Sequence, residues 1–360
     1  MESRRCRQQS RRSALAGDAL TGSAHFRPRG WLRSGHVQTV LGSLPPTRWL
    51  TRRRAAALLS SAQEWLLDCG EQVRLQGFLT PARVATDAAG RRIAVLLHGW
   101  EGSADSSYVL SLGAALLAHG FDVLRLNLRD HGETHHLNRE IFHSCRLTEV
   151  VGATRAVAQR FPQASLYLAG FSLGGNFMLR VAADADAPAS LTGAVAISPV
   201  LDPAATLEAL ERGLPIYRRY FVRRWSQSLR KKQRAWPGTH DFETMLRLAD
   251  LRAITAGLVQ QCTDFPSLQA YLDGYAVTGS RLAAVRVPVS LLLAEDDPMI
   301  PAAGLQRLAS SAKLSVVRLR YGGHCGFVQH LARPSFADRF VIEQFEQFER
   351  FEQFERFGVP

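Results

Sequence analysis

No apolar run in this 360-residue chain approaches the ~18 residues that a membrane-crossing helix needs. The opening stretch MESRRCRQQSRRSALAGDAL carries charge but no apolar signal-peptide core, so a cytoplasmic location is expected. Cysteine is sparse: Cys6, Cys69, Cys145, Cys262 and Cys325 are odd in number, scattered and without a CxxC pair. That pattern excludes a disulfide framework and a cysteine-built zinc site, and leaves inert or buried thiols. Lysine is nearly missing, at Lys231, Lys232 and Lys313 only, so 41 of the 44 basic residues are arginine. A GC-rich genome produces such a bias without any binding function.

The net charge of +12 is large enough to raise the question of a polyanionic partner. Half of it sits in residues 1–33, where eight arginines face only Glu2 and Asp18. Residues 1–24 read as a flexible basic tail, and no nucleic-acid partner is expected. With 46% hydrophobic and 21% charged residues, the chain can bury a large core.

From residue 91 onward, short β-type apolar runs alternate with segments of helical period, the mark of a mostly parallel sheet flanked by helices. RRIAVLLHG, FDVLRLNLR, SLYLAG, LTGAVAISPV, VPVSLLLAEDD and LSVVRLRYGG are the strands. SSYVLSLGAALLAHG, LTEVVGATRAVAQRF and GNFMLRVAADA are helices between them. EWLLDCGEQVRLQGFLT predicts an antiparallel hairpin turning at Cys69-Gly70. The alternation lapses over 201–285, read as a helical cap inserted between core segments 25–200 and 286–345. Within it, YRRYFVRRWSQSLRKKQRAW interleaves basic residues with Tyr217, Tyr220, Phe221, Trp225 and Trp236. This predicts an amphipathic helix with its aromatics toward the core and its arginines in solvent, through which the cap could touch a membrane peripherally. At the end, Phe345, Phe348, Phe351, Phe354 and Phe357 recur every third residue. A helix turns 300° in three residues, so only the first two or three can pack, and 346–360 read as a low-complexity tail.

The stretch AGFSLGGN, 169–176, joins a strand to a helix through a turn that lifts one side chain above the sheet edge. Gly170, Ser172 and Gly174 form GxSxG, in which the flanking positions have room for almost no side chain. The turn sets Ser172 at a helix N-terminus, where the Leu173 N–H is free to hold a developing oxyanion. A serine hydroxyl needs a base near neutral pKa, and His324, in the glycine-bearing loop RYGGHCGFV after the last strand, fits best of eleven histidines. The base needs an orienting acid, which LLLAEDDPMIP supplies just past a strand end. Asp297 is chosen because Pro298 fixes the chain there, with Asp296 as the alternative and Glu295 behind both. HGWEGS, 98–103, follows the first central strand, where His98 and Gly99 shape a turn and the Trp100 N–H completes the oxyanion hole. His131, His135, His136 and His143 crowd one segment, but their spacing matches no familiar ligand set. A polar loop at the pocket rim is expected there, with neither metal nor cofactor.

These motifs, together with the lead-in FRPRGWLRSGHVQTVLGSLPP, give the chain a family likeness: it resembles the YheT-like branch of the α/β-hydrolases, related to the eukaryotic abhydrolase-domain lipases. The resemblance implies the α/β-hydrolase fold and carboxylester hydrolysis, with Ser172 as nucleophile, His324 as base then acid and Asp297 as its carboxylate. It implies small ester substrates, short acyl esters or monoacylglycerol-like lipids. The segment RDHGETHHLN departs from the glycine-rich form expected at that point. Acyl transfer or thioester cleavage on the same triad is the alternative within enzymes, and a non-catalytic lipid or polyanion binder the alternative outside them.

Overall fold

The computed structural model describes residues 26–82, 90–331 and 333–357; the expected basic tail lies outside them. Eight strands form one sheet in the order β1-β2-β4-β3-β5-β6-β7-β8. The strands are β1 (Gln63–Asp68), β2 (Arg74–Thr80), β3 (Arg92–Leu97), β4 (Asp122–Leu126), β5 (Ser165–Phe171), β6 (Leu191–Ile197), β7 (Val289–Ala294) and β8 (Leu314–Leu319). β1 and β2 pair antiparallel, with Leu67 opposite Leu75, and β2 runs antiparallel to β4. All the other pairings are parallel. The hairpin turns where expected, closed by the Val73 N–H on the Gly70 carbonyl.

Helices cover both faces, so successive strand residues feed two different cores. Ile93, Val95 and Leu97 pack with Leu166, Leu168 and the helices α5 (Leu147–Arg160) and α6 (Leu173–Ala183). Ala94 and Leu96 face the other way, against Tyr167, Ala169 and the helices α4 (Ser107–Ala118) and α12 (Phe336–Phe357). Each fully buried aliphatic side chain contributes about 1.5–3 kcal/mol, so the two faces together fix the sheet. Upstream lie α1 (Gly35–Leu41), α2 (Pro45–Arg54) and α3 (Ala56–Ser60).

Between β6 and β7 the chain is helical: α7 (Pro203–Arg212), α8 (Pro215–Ala235), α9 (Glu243–Leu246), α10 (Leu251–Cys262) and α11 (Leu268–Gly274). Pro203 and Pro215 open α7 and α8, and the Asp202 carboxylate caps α7 by accepting from the Ala205 N–H at 3.0 Å. These helices share a third apolar cluster, which includes Leu207, Trp225, Leu229 and Leu258. Among the described residues, no helix is long and apolar enough to cross a membrane.

α12 continues past residue 345 to Phe357, and Phe345 and Phe348 are both buried. A Cβ on Gly193 would fall 2.2 Å from the Phe348 ring, so β6 leaves that position bare for it. Arg92 pairs with Glu349 at 3.3 Å. Residues 346–357 continue this core helix, and Phe345 and Phe348 are the first of the phenylalanines that the spacing allows to pack.

Candidate active site

Ser172 stands alone between β5 and α6, with φ 54° and ψ −118°, a conformation that costs a non-glycine residue about 1–3 kcal/mol. The surroundings enforce it. The Ser172 N–H donates to the Ile197 carbonyl at 2.9 Å, and the Ser172 carbonyl accepts from Asn176 N–H at 3.0 Å. A Cβ on Gly170 would lie 2.4 Å from the Gly174 backbone, and one on Gly174 would lie 2.3 Å from the His98 carbonyl oxygen. GxSxG is thus a steric requirement of this turn.

The acid and the imidazole meet. His324 Nδ1 bonds Asp297 Oδ2 at 2.8 Å; the carboxylate is almost fully covered and the imidazole is partly exposed, toward the cavity it lines. Asp297 Oδ1 accepts from the Met299 and Ile300 N–H groups at 2.8 and 3.0 Å, so the carboxylate is fixed at both oxygens. Burial pushes the imidazole down, but the Asp297 charge, with a smaller push from Cys325, outweighs it and leaves the ring well above its ordinary pKa of 6.5. Asp296 serves the neighbouring backbone instead, where its Oδ1 accepts from the Gly323 N–H at 2.9 Å and braces the loop that carries His324. Glu295 pairs with Arg318 at the surface.

The 98–103 turn is set by a buried histidine. His98 Nε2 accepts from the Leu128 N–H at 3.2 Å, which leaves Nδ1 to donate to the Gly99 carbonyl at 2.7 Å. Burial, with the neighbouring His131, lowers its pKa to about 3, so it stays neutral. The Gly99 N–H donates to Tyr108 Oη at 3.1 Å. Among the described residues, the Trp100 and Leu173 N–H groups donate to no acceptor in the chain.

A cavity of about 730 Å³ brings these groups together: Ser172, Leu173, Trp100 and His324 all line it. Toward the inserted helices the wall carries the apolar Leu207, Leu210 and Leu258 beside Thr206, Thr255 and Arg224, and Met299 and Ile300 of the segment after β7 add to the apolar part. No hydrogen bond joins Ser172 to His324 among the described residues; each borders the same space.

A sequence profile described as the alpha/beta hydrolase fold matches residues 95–331. The chain belongs to the α/β-hydrolase fold family. Within that family it is 26% identical to YheT of Escherichia coli K12, which carries an esterase name, over 86% of this chain and 88% of that one. It is 24% identical to mouse phospholipase ABHD3, over 89% of this chain and 77% of that one. It is 25% identical to the embryogenesis-associated protein EMB8 of Picea glauca over 71% of this chain, and spans 58% of EMB8's length. Among solved structures, the esterase Pf2001 of Pyrococcus furiosus superposes with a TM-score of 0.52 at 14% identity, covering 80% of this chain and 90% of that one. A YheT-like member of the α/β-hydrolase family fits both the motifs and the sheet.

Sequence reasoning missed the residues that hold the His324 loop of this hydrolase fold. Gln38 is wholly buried; its Nε2 donates to the Leu32 and Val328 carbonyls at 2.7 and 2.9 Å, and its Oε1 accepts from the Val328 N–H at 2.8 Å. Thr39 Oγ1 accepts from the His324 N–H at 2.9 Å while donating to the Gly35 carbonyl at 2.7 Å. The two segments touch so closely that a Cβ on Gly323 would lie 2.3 Å from the Gly35 carbonyl. The lead-in SGHVQT, noted only as a family mark, is the seat of the imidazole loop.

The segment RDHGETHHLN corrects an expectation. A polar loop at the pocket rim is expected there, but none of residues 129–138 lines the main cavity, and Arg129, Asp130, His131, His135 and Asn138 are buried. Lys232, reaching in from α8, donates to Asp130 Oδ1 at 2.9 Å and to two backbone carbonyls, and Arg129 pairs with Glu149 at 2.8 Å. The His131 ring bonds the Arg129 carbonyl, and His135 bonds Ser228 of α8 at 2.9 Å. α8 is otherwise amphipathic, burying Tyr217, Trp225 and Leu229, but Lys232 goes inward and Tyr220 stays exposed. Phe221 stacks on Trp100 at 5.1 Å, so α8 also packs on the 98–103 turn. Burial drives the Cys69 thiol up to about 12 and Cys145 up to about 11, which makes both inert at neutral pH.

Proposed function

We propose that this protein is a serine hydrolase that cleaves carboxylic esters through an acyl-enzyme. The observation that carries this reading is the hydrogen-bonded His324–Asp297 pair, whose imidazole borders the same cavity as Ser172 on its strained turn. The esterase and phospholipase names of the relatives support it.

Asp297 holds Nδ1 of the ring in its protonated tautomer, which leaves Nε2 as the basic nitrogen. Ser172 Oγ attacks the ester carbonyl as its proton passes to Nε2; the carbonyl π electrons move to oxygen, and the Trp100 and Leu173 N–H groups receive that oxyanion. Each such donor contributes about 3 kcal/mol to the transition state. When the tetrahedral species collapses, the C–O bond to the alcohol breaks and Nε2 returns the proton to the leaving oxygen. Water repeats the sequence on the acyl-serine and releases the acid. The helices between β6 and β7 act as a cap, and the apolar part of their wall favours an acyl chain, as in a short acyl ester or a monoacylglycerol-like lipid.

The test is turnover of p-nitrophenyl esters of increasing acyl length, with Ser172→Ala as control. Hydrolysis lost in the variant supports the reading, and hydrolysis that survives it overturns the assignment.

A further inference from the structure

The cavity opens beside a surface that the ester chemistry does not use. Gly42, Ser43, Arg48, Tyr220 and Leu331 line the cavity, so α1, α2, the first turns of α8 and the loop after His324 border one mouth. His36 of α1 bonds Tyr217 of α8 at 2.8 Å, with the two rings stacked, which ties these elements together. Large apolar side chains stand out from them: Trp49 and Ile216 are 60% and 62% exposed, and Leu44, Tyr220 and Leu331 are exposed as well. Single exposed apolar residues are ordinary, but a group of them around a cavity mouth marks an interaction site.

The charge of the same elements is one-signed. Residues 27–63 contain seven arginines and no acidic residue, and residues 213–240 contain eight basic residues and no acidic one. Arg48, Arg219 and Arg223 make no ion pair among the described residues, and Arg53 lies over the Trp49 ring at 5.5 Å. Guanidinium groups at headgroup level with tryptophan, tyrosine and aliphatic tips beyond them are the pattern of an interfacial membrane surface. Nucleic acid would draw on the arginines, yet Leu44, Ile216 and Leu331 offer bases nothing to stack on. A second copy of the chain would set like charge against like.

We propose that this face docks the protein on an anionic phospholipid bilayer, with Trp49, Leu44 and Ile216 inserted and the arginines of α2 and α8 against the headgroups. It presents the cavity mouth to the lipid. This role presupposes the ester-hydrolase reading only for what the surface delivers, because docking itself needs no reaction.

The test is flotation of the full chain with vesicles of phosphatidylcholine alone and with roughly 30 mol% phosphatidylglycerol, at low salt and at about 0.5 M NaCl. Binding is expected only with phosphatidylglycerol and is expected to weaken in salt. The pairs W49S/I216S and R219E/R223E, all outside the cavity lining, should each weaken it about tenfold or more while turnover of a soluble p-nitrophenyl ester and the circular dichroism spectrum stay at wild-type levels. Ser172→Ala should bind vesicles as wild type does, which separates this proposal from the catalytic one. Failure to float with either vesicle, or flotation that W49S/I216S leaves unchanged, overturns it. So does binding to a single-stranded oligonucleotide that matches vesicle binding in strength and is indifferent to W49S/I216S.

Discussion

The two halves of the candidate site are built in opposite ways. Ser172 is held mainly by its own neighbourhood: Gly170, Gly174 and Asn176 are within four residues, while the Ile197 carbonyl on β6 and the His98 carbonyl behind Gly174 close the turn from outside. His324 is held from far away, by Thr39, which is 285 residues upstream, and by Asp297, 27 residues before it. A local device is specified once its short motif is written. A distributed one depends on the whole chain having folded, and every member of it is a place where the base can be misaligned without touching the nucleophile.

That contrast orders the expected effects. Ser172→Ala removes the group proposed to bond to substrate, and turnover of a short ester should fall on the order of 10⁴-fold or more, read by steady-state kinetics. Asp297→Asn should cost about 10³ to 10⁴-fold, since the ring loses its tautomer control. It carries a second signature. A raised His324 pKa means that the base is protonated, and activity lost, as pH falls through a value above 6.5. The acid limb of kcat/KM should therefore lie above pH 6.5 in the wild type and move down in Asp297→Asn, where the charge that raises it is gone.

Lys232→Met lies outside both halves and calibrates the contrast. It leaves Asp130 buried without its cation, and chemical denaturation should show a loss of about 3–5 kcal/mol. The smallest effect belongs to Thr39→Val, which removes the hydroxyl under the His324 N–H: kcat should fall about tenfold with KM nearly unchanged, and Thr39→Ser should restore it. A Thr39→Val enzyme with full activity would mean that the base is held locally after all.

The same contrast explains what could be read in advance. The alternation of strands and helices has periods of two and 3.6 residues, local properties that survive in any single sequence, and GxSxG with its strand and helix is equally local. Asp297 over Asp296 followed from a proline one residue away. Gln38 and Thr39 went unread because their partners lie near residue 324, and nothing in SGHVQT says where the other side of a hydrogen bond is. RDHGETHHLN reads as a polar loop at the pocket rim because burial of a polar run depends on a distant cation, Lys232, that its own sequence does not contain. The spacing lets the first two or three phenylalanines pack, but where Phe348 seats is not legible there, because the bare position that receives it is Gly193 on a distant strand.

The central claim is that Ser172 is a nucleophile armed by His324, and covalent labelling with a fluorophosphonate followed by peptide mapping tests it most directly. The account predicts one adduct, on Ser172, absent in Ser172→Ala and slowed on the order of 10³-fold or more in His324→Ala. A wild-type protein that takes up no label, or a label that maps to another residue, would contradict it.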